Sequence, residues 1–414
     1  MSVSSAGQWI EPWAWRSSAQ VLVEPLTEPS SSSEFALGWD ESQQGLLEEA
    51  LAVQPASLTA RRLATRLLQQ RCGAVLQPLA DAKRVALAGH TVTYVVNRNL
   101  NFTNHCQQHC SFCAFRRDPD QEGAYWHSFD LLQQRASEAQ QQGATELCIQ
   151  GGLNPQAQLD GSCLRYYQAL LEALQVAAPG IHLHAFSPQE LLFIAEQDQI
   201  PLQEVIDGLL GSGLGSVPGT AAEVLSERVR RRLCPEKLSA RQWCAVLLQV
   251  HRSGISSTAT LMAGHLEDHA DRSAHLLTLV ALQQQAWQHG QPGFSEFVLL
   301  PFIGANAPRK LRAAVGLDQP DREAMLLLTA QCRLLLGRWF VNHQPSWVKL
   351  TLEGACEALR WGCNDLGGTL MEESITSMAG ALGGTSQSPQ ALRAAAASLQ
   401  RPCRERSTLY TLLA

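Results

Sequence analysis

Residues 91–117 read TVTYVVNRNLNFTNHCQQHCSFCAFRR. The first ten are rich in β-branched and aromatic residues, which predicts a strand over 91–100. That strand runs into a polar loop carrying Cys106, Cys110 and Cys113 in a C-x3-C-x2-C spacing. Three thiolates so close can hold three irons of a four-iron cluster and leave the fourth without a protein ligand, whereas electron-transfer clusters ordinarily take four cysteines. An open iron, like the open position of a catalytic zinc, is where chemistry takes place. Phe112 adds an aromatic face beside the last cysteine.

Two plainer readings compete with the open cluster. Positions i, i+4 and i+7 share a helix face, so the cysteines could form a buried stripe. The polar neighbours Asn104, His105, Gln107, Gln108 and His109 count against it. A Cys3His zinc site would use His105 or His109, but structural zinc takes two short ligand pairs set well apart, and no second C-x2-C exists here. The open cluster is the better reading.

Beyond the loop, strand and helix patterns alternate. Helices are expected near 57–73 and 74–88, the first capped by Ser57 and ended by Gly73. After strand 91–100, strands are expected at 145–150, 181–186, 214–219, 257–265 and 294–302, then at SWVKLTL (346–352) and GCNDLGG (362–368). Helical segments separate them. Eight strands with helical crossovers indicate an α/β fold, a parallel (β/α)8 barrel of the TIM type with N-terminal helices. The barrel domain is expected over 56–414. Residues 1–55 read as an irregular extension whose Trp9, Trp13, Trp15 and Trp39 dock on the barrel.

Composition agrees with an enzyme-sized soluble chain. Its 414 residues are 45% apolar, and the net charge of −6 gives no reason to expect nucleic acid as a partner. The basic run Arg228, Arg230, Arg231 and Arg232 reads as a solvated helix face. No secretory leader and no membrane-spanning stretch is expected. The other nine of the twelve cysteines are scattered, which is no disulfide framework and fits a reducing cytoplasm.

In such a barrel the chemistry sits at the carboxyl ends of the strands. The segments expected there are polar or glycine-rich. They are GGLNP (151–155), HAFSPQE (184–190), PGTAAE (218–223), GHLED (264–268) and CNDLGG (363–368). Ser187 and Glu190 also read as a helix capping box, and Thr220 and Glu223 as a second one. His184, Glu190, Thr220, Glu223, His265, Glu267, Asn364 and Asp365 form the pool of candidate substrate-pocket residues.

With those segments and NRNLNFTNHC, GFSEFVLLPF and NDLGGTLMEESI in view, residues 78–385 resemble the radical S-adenosylmethionine (SAM) enzymes. More narrowly they resemble the deazaflavin (FO) synthase group that joins L-tyrosine to 5-amino-6-(D-ribitylamino)uracil. That group has relatives in the futalosine route to menaquinone. The resemblance implies that Cys106, Cys110 and Cys113 ligate a [4Fe-4S] cluster whose open iron chelates SAM. It implies that Gly151 and Gly152 line the methionine moiety and that Phe112 lies near the adenine. Asn154 stands where relatives often have His. The activity implied is transfer of a 4-hydroxybenzyl fragment, freed from tyrosine by a 5′-deoxyadenosyl radical, to the uracil. The electron would come from a flavodoxin- or ferredoxin-type donor. A single cysteine triad implies that a separate radical SAM cyclase closes the deazaflavin ring.

Overall fold

The computed structural model describes residues 38–413. Its strands are β1 Val92–Val95, β2 Asn97–Leu100, β3 Glu146–Ile149, β4 His182–Ala185, β5 Leu214–Val217, β6 Ser256–Ala263, β7 Phe294–Pro301, β8 His343–Pro345, β9 Asp365–Gly368 and β10 Cys403–Glu405. Strands β2 to β8 lie in sequence order in one parallel sheet, and β10, β1 and β9 form a second. The two belong to one ring, because β1 and β2 are a single strand broken at Val96. The first half pairs with β9, Thr93 opposite Asp365, and the second with β3, Asn97 opposite Glu146. The seam between β8 and β9 is stitched by Asn364, whose N–H donates to the His343 carbonyl (3.1 Å) and whose Oδ1 accepts from the His343 N–H (2.9 Å). Eight strand positions therefore close around a lumen, as expected.

The crossover helices begin on a repeated device. Ser128, Ser162, Ser187, Ser239 and Asp268 each accept the N–H of the residue three further on, satisfying a donor the helix cannot. Apolar faces of these helices pack on the outside of the ring. Helix Gly73–Ala88 packs against Arg322–Leu336 and helps close the amino-terminal end.

Several expectations need correction. The extension is not irregular throughout, because Glu41–Val53 is a helix capped by Asp40. Gln44 fixes it by donating to the Leu334 carbonyl, and Trp39 is buried with its indole N–H on Gln44. Trp9, Trp13 and Trp15 lie outside the described residues. Gly73 opens the second helix, and Gln70 caps the end of the first. SWVKLTL is not the seventh strand. That strand is the three-residue β8 just before it, and Trp347–Ala358 is helical with a break at Thr351 (φ 64°). Seven residues alternating Val348, Leu350 and Leu352 mimic a strand, but buried Trp347, Leu350, Ala355 and Ala358 keep helical spacing. The basic run is a solvated face only in part, because Arg231 and Arg232 are exposed but the other two are engaged. Arg230 is buried and donates to the carbonyls of Ala221, Ala222 and Leu238, while Arg228 pairs with Asp268 and Asp271.

Candidate active site

A cavity of about 430 Å³ fills the lumen and opens at the carboxyl ends of the strands. Its mouth is the cysteine loop, and Cys106, Cys110, Cys113 and Phe112 all line it. The loop is irregular backbone, so no helical stripe exists. It is zipped to its neighbours. Gly152 N–H donates to the Thr103 carbonyl (2.8 Å), Gln107 N–H to Leu153 (3.0 Å), and Ser111 N–H to Leu233 (3.1 Å). The Glu236 carboxylate accepts the His109 N–H at 2.7 Å.

Gly152 explains how close this approach is. A Cβ there would lie 2.1 Å from the His105 carbonyl oxygen, so any side chain would push the cysteine loop away. A Cβ on Gly151 would strike the Phe102 ring at 2.5 Å. Both glycines also line the cavity. Asn154 does not. It is buried, and its Oδ1 accepts from Gln156 N–H.

Burial raises the Cys106 thiol above its usual range and pushes Cys110 up to about 12. Bare, these thiols are protonated, and cationic metal must be bound for them to serve as thiolates. Among the described residues no three His, Cys, Asp or Glu side chains converge as the ligands of one metal ion. Three soft thiols around one cavity mouth, with a glycine-lined approach beside them, fit a cluster with a small organic ligand.

Charge is concentrated on the rim. Lys237 pairs with Glu223 at 2.6 Å, and its Nζ lies 5.3 Å from the centre of the Phe112 ring. Burial would raise the Glu223 carboxyl, but Lys237 outweighs it and holds it below the usual range. Lys349 lines the cavity and forms no ion pair with the described residues; burial lowers it to about 8 against the pull of Glu373 and Glu223. Glu190 does cap its helix, and more. One oxygen takes the N–H and hydroxyl of Ser187, both at 2.7 Å, while the other accepts Gly151 N–H at 3.0 Å. Burial raises its carboxyl to about 7 despite those donors.

The candidate pool divides evenly. His184, Glu190, Thr220 and Glu223 line the cavity. His265, Glu267, Asn364 and Asp365 do not, and their partners say why. Glu267 takes the N–H groups of Gly264 and His265 and pairs with Arg272, so it builds its turn. His265 returns its ring to the Met262 carbonyl. Asn364 stitches the barrel seam, and Asp365 accepts from Thr93 and Arg406. Thr220 and Glu223 are also no capping box. The helix starts at Glu227, and Ala221 and Glu223 adopt positive φ (63° and 46°) in a turn that Arg230 clamps.

Apart from His184, sequence reasoning missed the floor of the cavity. Asn97 and Glu146 project there from the first positions of β2 and β3, His184 from β4 and Glu296 from the early part of β7, with Arg406 and Thr408 from the C-terminal tail. The Asn97 amide donates to Glu146 at 2.7 Å, and His184 Nδ1 sits 2.7 Å from the Ser216 hydroxyl. Arg406 pairs with Asp365 at 2.6 Å and Glu296 at 3.2 Å. The inward positions of strands were the available signal for Asn97, Glu146 and Glu296. Nothing local marks Arg406.

A family model described as the Radical SAM superfamily matches residues 100–279. The chain is 55% identical over 340 residues to the 5-amino-6-(D-ribitylamino)uracil–L-tyrosine 4-hydroxyphenyl transferase of Cyanothece sp. (strain PCC 7425), covering 82% of this chain and 89% of that one. Proteins of the same name from Nostoc punctiforme and Synechocystis sp. are 53% and 51% identical, over 81% and 88% of this chain and 89% and 94% of theirs. Among solved structures, methylornithine synthase (PylB) superposes with a TM-score of 0.63 at 13% identity, covering 86% of this chain and 97% of that one. The FeFe-hydrogenase maturase HydG of Carboxydothermus hydrogenoformans gives 0.63 at 14% identity, covering 89% and 81%. At those identities the structural likeness establishes the fold alone.

Proposed function

The chain belongs to the radical SAM enzymes, in the family of 5-amino-6-(D-ribitylamino)uracil–L-tyrosine 4-hydroxyphenyl transferases, and on that footing we propose that it joins the 4-hydroxybenzyl part of tyrosine to that uracil in deazaflavin synthesis. The observation that carries the reading is the three-cysteine loop set over a closed lumen, in a chain 55% identical to a transferase of that name. Membership brings a [4Fe-4S] cluster and SAM. Cys106, Cys110 and Cys113 are the ligands proposed for the cluster, with Gly151, Gly152 and Phe112 beside the SAM. When bound, the pair would supply a 5′-deoxyadenosyl radical, the hydrogen-abstracting species that cleavage of the tyrosine Cα–Cβ bond requires.

The rest is the work of this chain. A radical is quenched by any stray hydrogen donor, so the barrel must hold both substrates still and keep water out. The belt of Val298, Leu300, Phe302, Met262 and Trp347 around the middle of the cavity suits the aromatic ring. Glu190, by holding Gly151 N–H, fixes the loop on which the cofactor side of the cavity rests. Lys349 offers a desolvated cation for a substrate carboxylate. The electron donor is proposed to be of flavodoxin or ferredoxin type, and ring closure to fall to a separate radical SAM cyclase. Twelve free cysteines suit a reducing cytoplasm, and no described helix is long and apolar enough to cross a membrane.

The test is anaerobic turnover of the iron-loaded protein with SAM, reductant, tyrosine and the ribitylamino uracil, read by mass. The expected products are deoxyadenosine, methionine and the hydroxybenzyl adduct. Consumption of futalosine-route substrates in place of these, or finished deazaflavin from this protein alone, overturns the reading.

A further inference from the structure

The lumen is chemically two-ended. At the level of the first residues of β2 and β3 the lining is largely polar, whereas above it the β6–β7 side, with Met262, Val298, Leu300 and Phe302, is apolar. The floor side chains are almost wholly out of solvent: Asn97 is 4% exposed, Glu146 5%, His184 7%, Arg406 2% and Thr408 7%. Burying this many polar groups is costly unless each finds partners. Most do, within the network already described. Thr408 is the most weakly held. Its hydroxyl faces the cavity beside the Glu146 carboxylate, whose charged form it favours, but no well-formed hydrogen bond to the described residues fixes it. Asn99 Oδ1, one strand position higher on β2, is likewise buried, cavity-lining and without a donor.

From this arrangement we infer that the floor is a subsite for a neutral polyhydroxylated chain, the ribityl arm of the uracil substrate, and that the C-terminal tail completes it. The inference rests on the proposed function and assigns which substrate part lies where. Each hydroxyl of a polyol is both donor and acceptor. Glu146 and Glu296 can accept from such hydroxyls, while Asn97, Arg406 and Thr408 can donate to them. The other substrate fits badly. Tyrosine is a zwitterion, and its carboxylate would be brought into dry surroundings beside the carboxylates of Glu146 and Glu296, with the one strong cation, Arg406, already engaged by Asp365. Its phenol ring is better matched by the apolar belt. With the arm below, the uracil ring lies at the belt and its C5 points toward the mouth, where the radical is made.

The tail is part of the site because it supplies two of the six floor groups. Strand β10 pairs with β1, Cys403 opposite Val92, and Arg406 N–H donates to the Tyr94 carbonyl (2.9 Å). That register turns Arg406 and Thr408 into the lumen.

The test compares the parent uracil with 5-amino-6-(methylamino)uracil, which lacks the polyol. Holoenzyme carrying SAM and tyrosine is titrated with each, for the wild type, Thr408→Val and Glu146→Gln. A site built around hydroxyls should reject the truncated compound by at least about a hundredfold. Thr408→Val, near-isosteric and removing a hydroxyl that no well-formed hydrogen bond fixes, should weaken the parent by about tenfold and leave the truncated compound and the tyrosine KM unchanged. Glu146→Gln should act in the same direction. Equal binding of the two uracils to the wild type, or equal loss of both in the variants, overturns the subsite. Adduct formation by the wild type with the parent is the control on the function itself. If no adduct forms, the function falls and the subsite with it; if adduct forms from both uracils alike, the subsite alone falls.

Discussion

At the mouth of the barrel Cys106, Cys110, Cys113 and Lys349 face the cavity with no ion-pair partner among the described residues, while at the floor Arg406 is shared between Asp365 and Glu296, and Glu146 is held by Asn97. Both ends are lined by polar groups on the same strands. They differ in what completes them. Mouth groups lack something that the protein does not supply, which is the condition of a site awaiting a cofactor and a charged substrate. Floor charges are largely satisfied by each other, which fixes their positions and leaves only hydroxyl-sized gaps. A polar lining alone therefore says little, and the number of unfilled valences says more.

The first way to break the comparison is at the mouth. Cys106→Ala, Cys110→Ala and Cys113→Ala should each abolish deoxyadenosine formation and lower bound iron, with the circular dichroism spectrum retained. Cys148→Ala, which removes a thiol inside the same cavity, should keep its iron and still form deoxyadenosine. Equal iron loss in all four variants would mean that the loop is not the ligand set.

A second, smaller effect contrasts two cations. Arg406→Gln leaves Asp365 and Glu296 buried against each other without their counter-charge, and should cost about 3–5 kcal/mol in a urea unfolding experiment. Lys349→Gln removes a desolvated cation that has no ion pair, so it should be neutral or slightly stabilising while it impairs turnover. Equal destabilisation by the two would erase the distinction between floor and mouth.

How much of this was legible in the sequence follows the same division. The cysteine loop, Gly151, Gly152 and Glu190 are contiguous signals, because one strand end delivers each of them and local spacing records it. The barrel was legible for a similar reason, except at β8, where three residues are too few to show a period and the helix after it imitates a strand. His265 and Glu267 follow the carboxyl end of β6, where site residues belong, yet their partners turn them to building the turn, whereas Asn364 and Asp365 stand at the amino end of β9 and close the ring. Sequence position gives the end of a strand but not the direction of a side chain. Arg406 was invisible because its role depends on the pairing of β10 with β1, across more than three hundred residues of chain.

The smallest expected effect separates two roles of one residue. Glu190 belongs to the mouth, but its carboxyl is raised to about 7 by burial, like that of Glu296 at the floor. An unfolded glutamate titrates near 4.5. Between those values the folded protein binds the extra proton, so ∂ΔG/∂pH is negative and the stability contributed by the protonated form is lost as pH rises toward and through 7. His184, lowered to about 4 by burial, gives the opposite slope below the range of free histidine. The sum is therefore uninformative, and the difference between variants is what to read. Glu190→Gln cannot ionise, so its unfolding free energy should fall by about 1–2 kcal/mol less than the wild type between pH 5 and 8, whatever its offset at any single pH. The three donors on Glu190 favour its charged form and burial opposes it. Parallel pH curves for wild type and variant would mean that the donors win and that the carboxylate is charged throughout. Glu190 would then resemble the satisfied groups of the floor, and its hold on Gly151 would be that of a permanent anion.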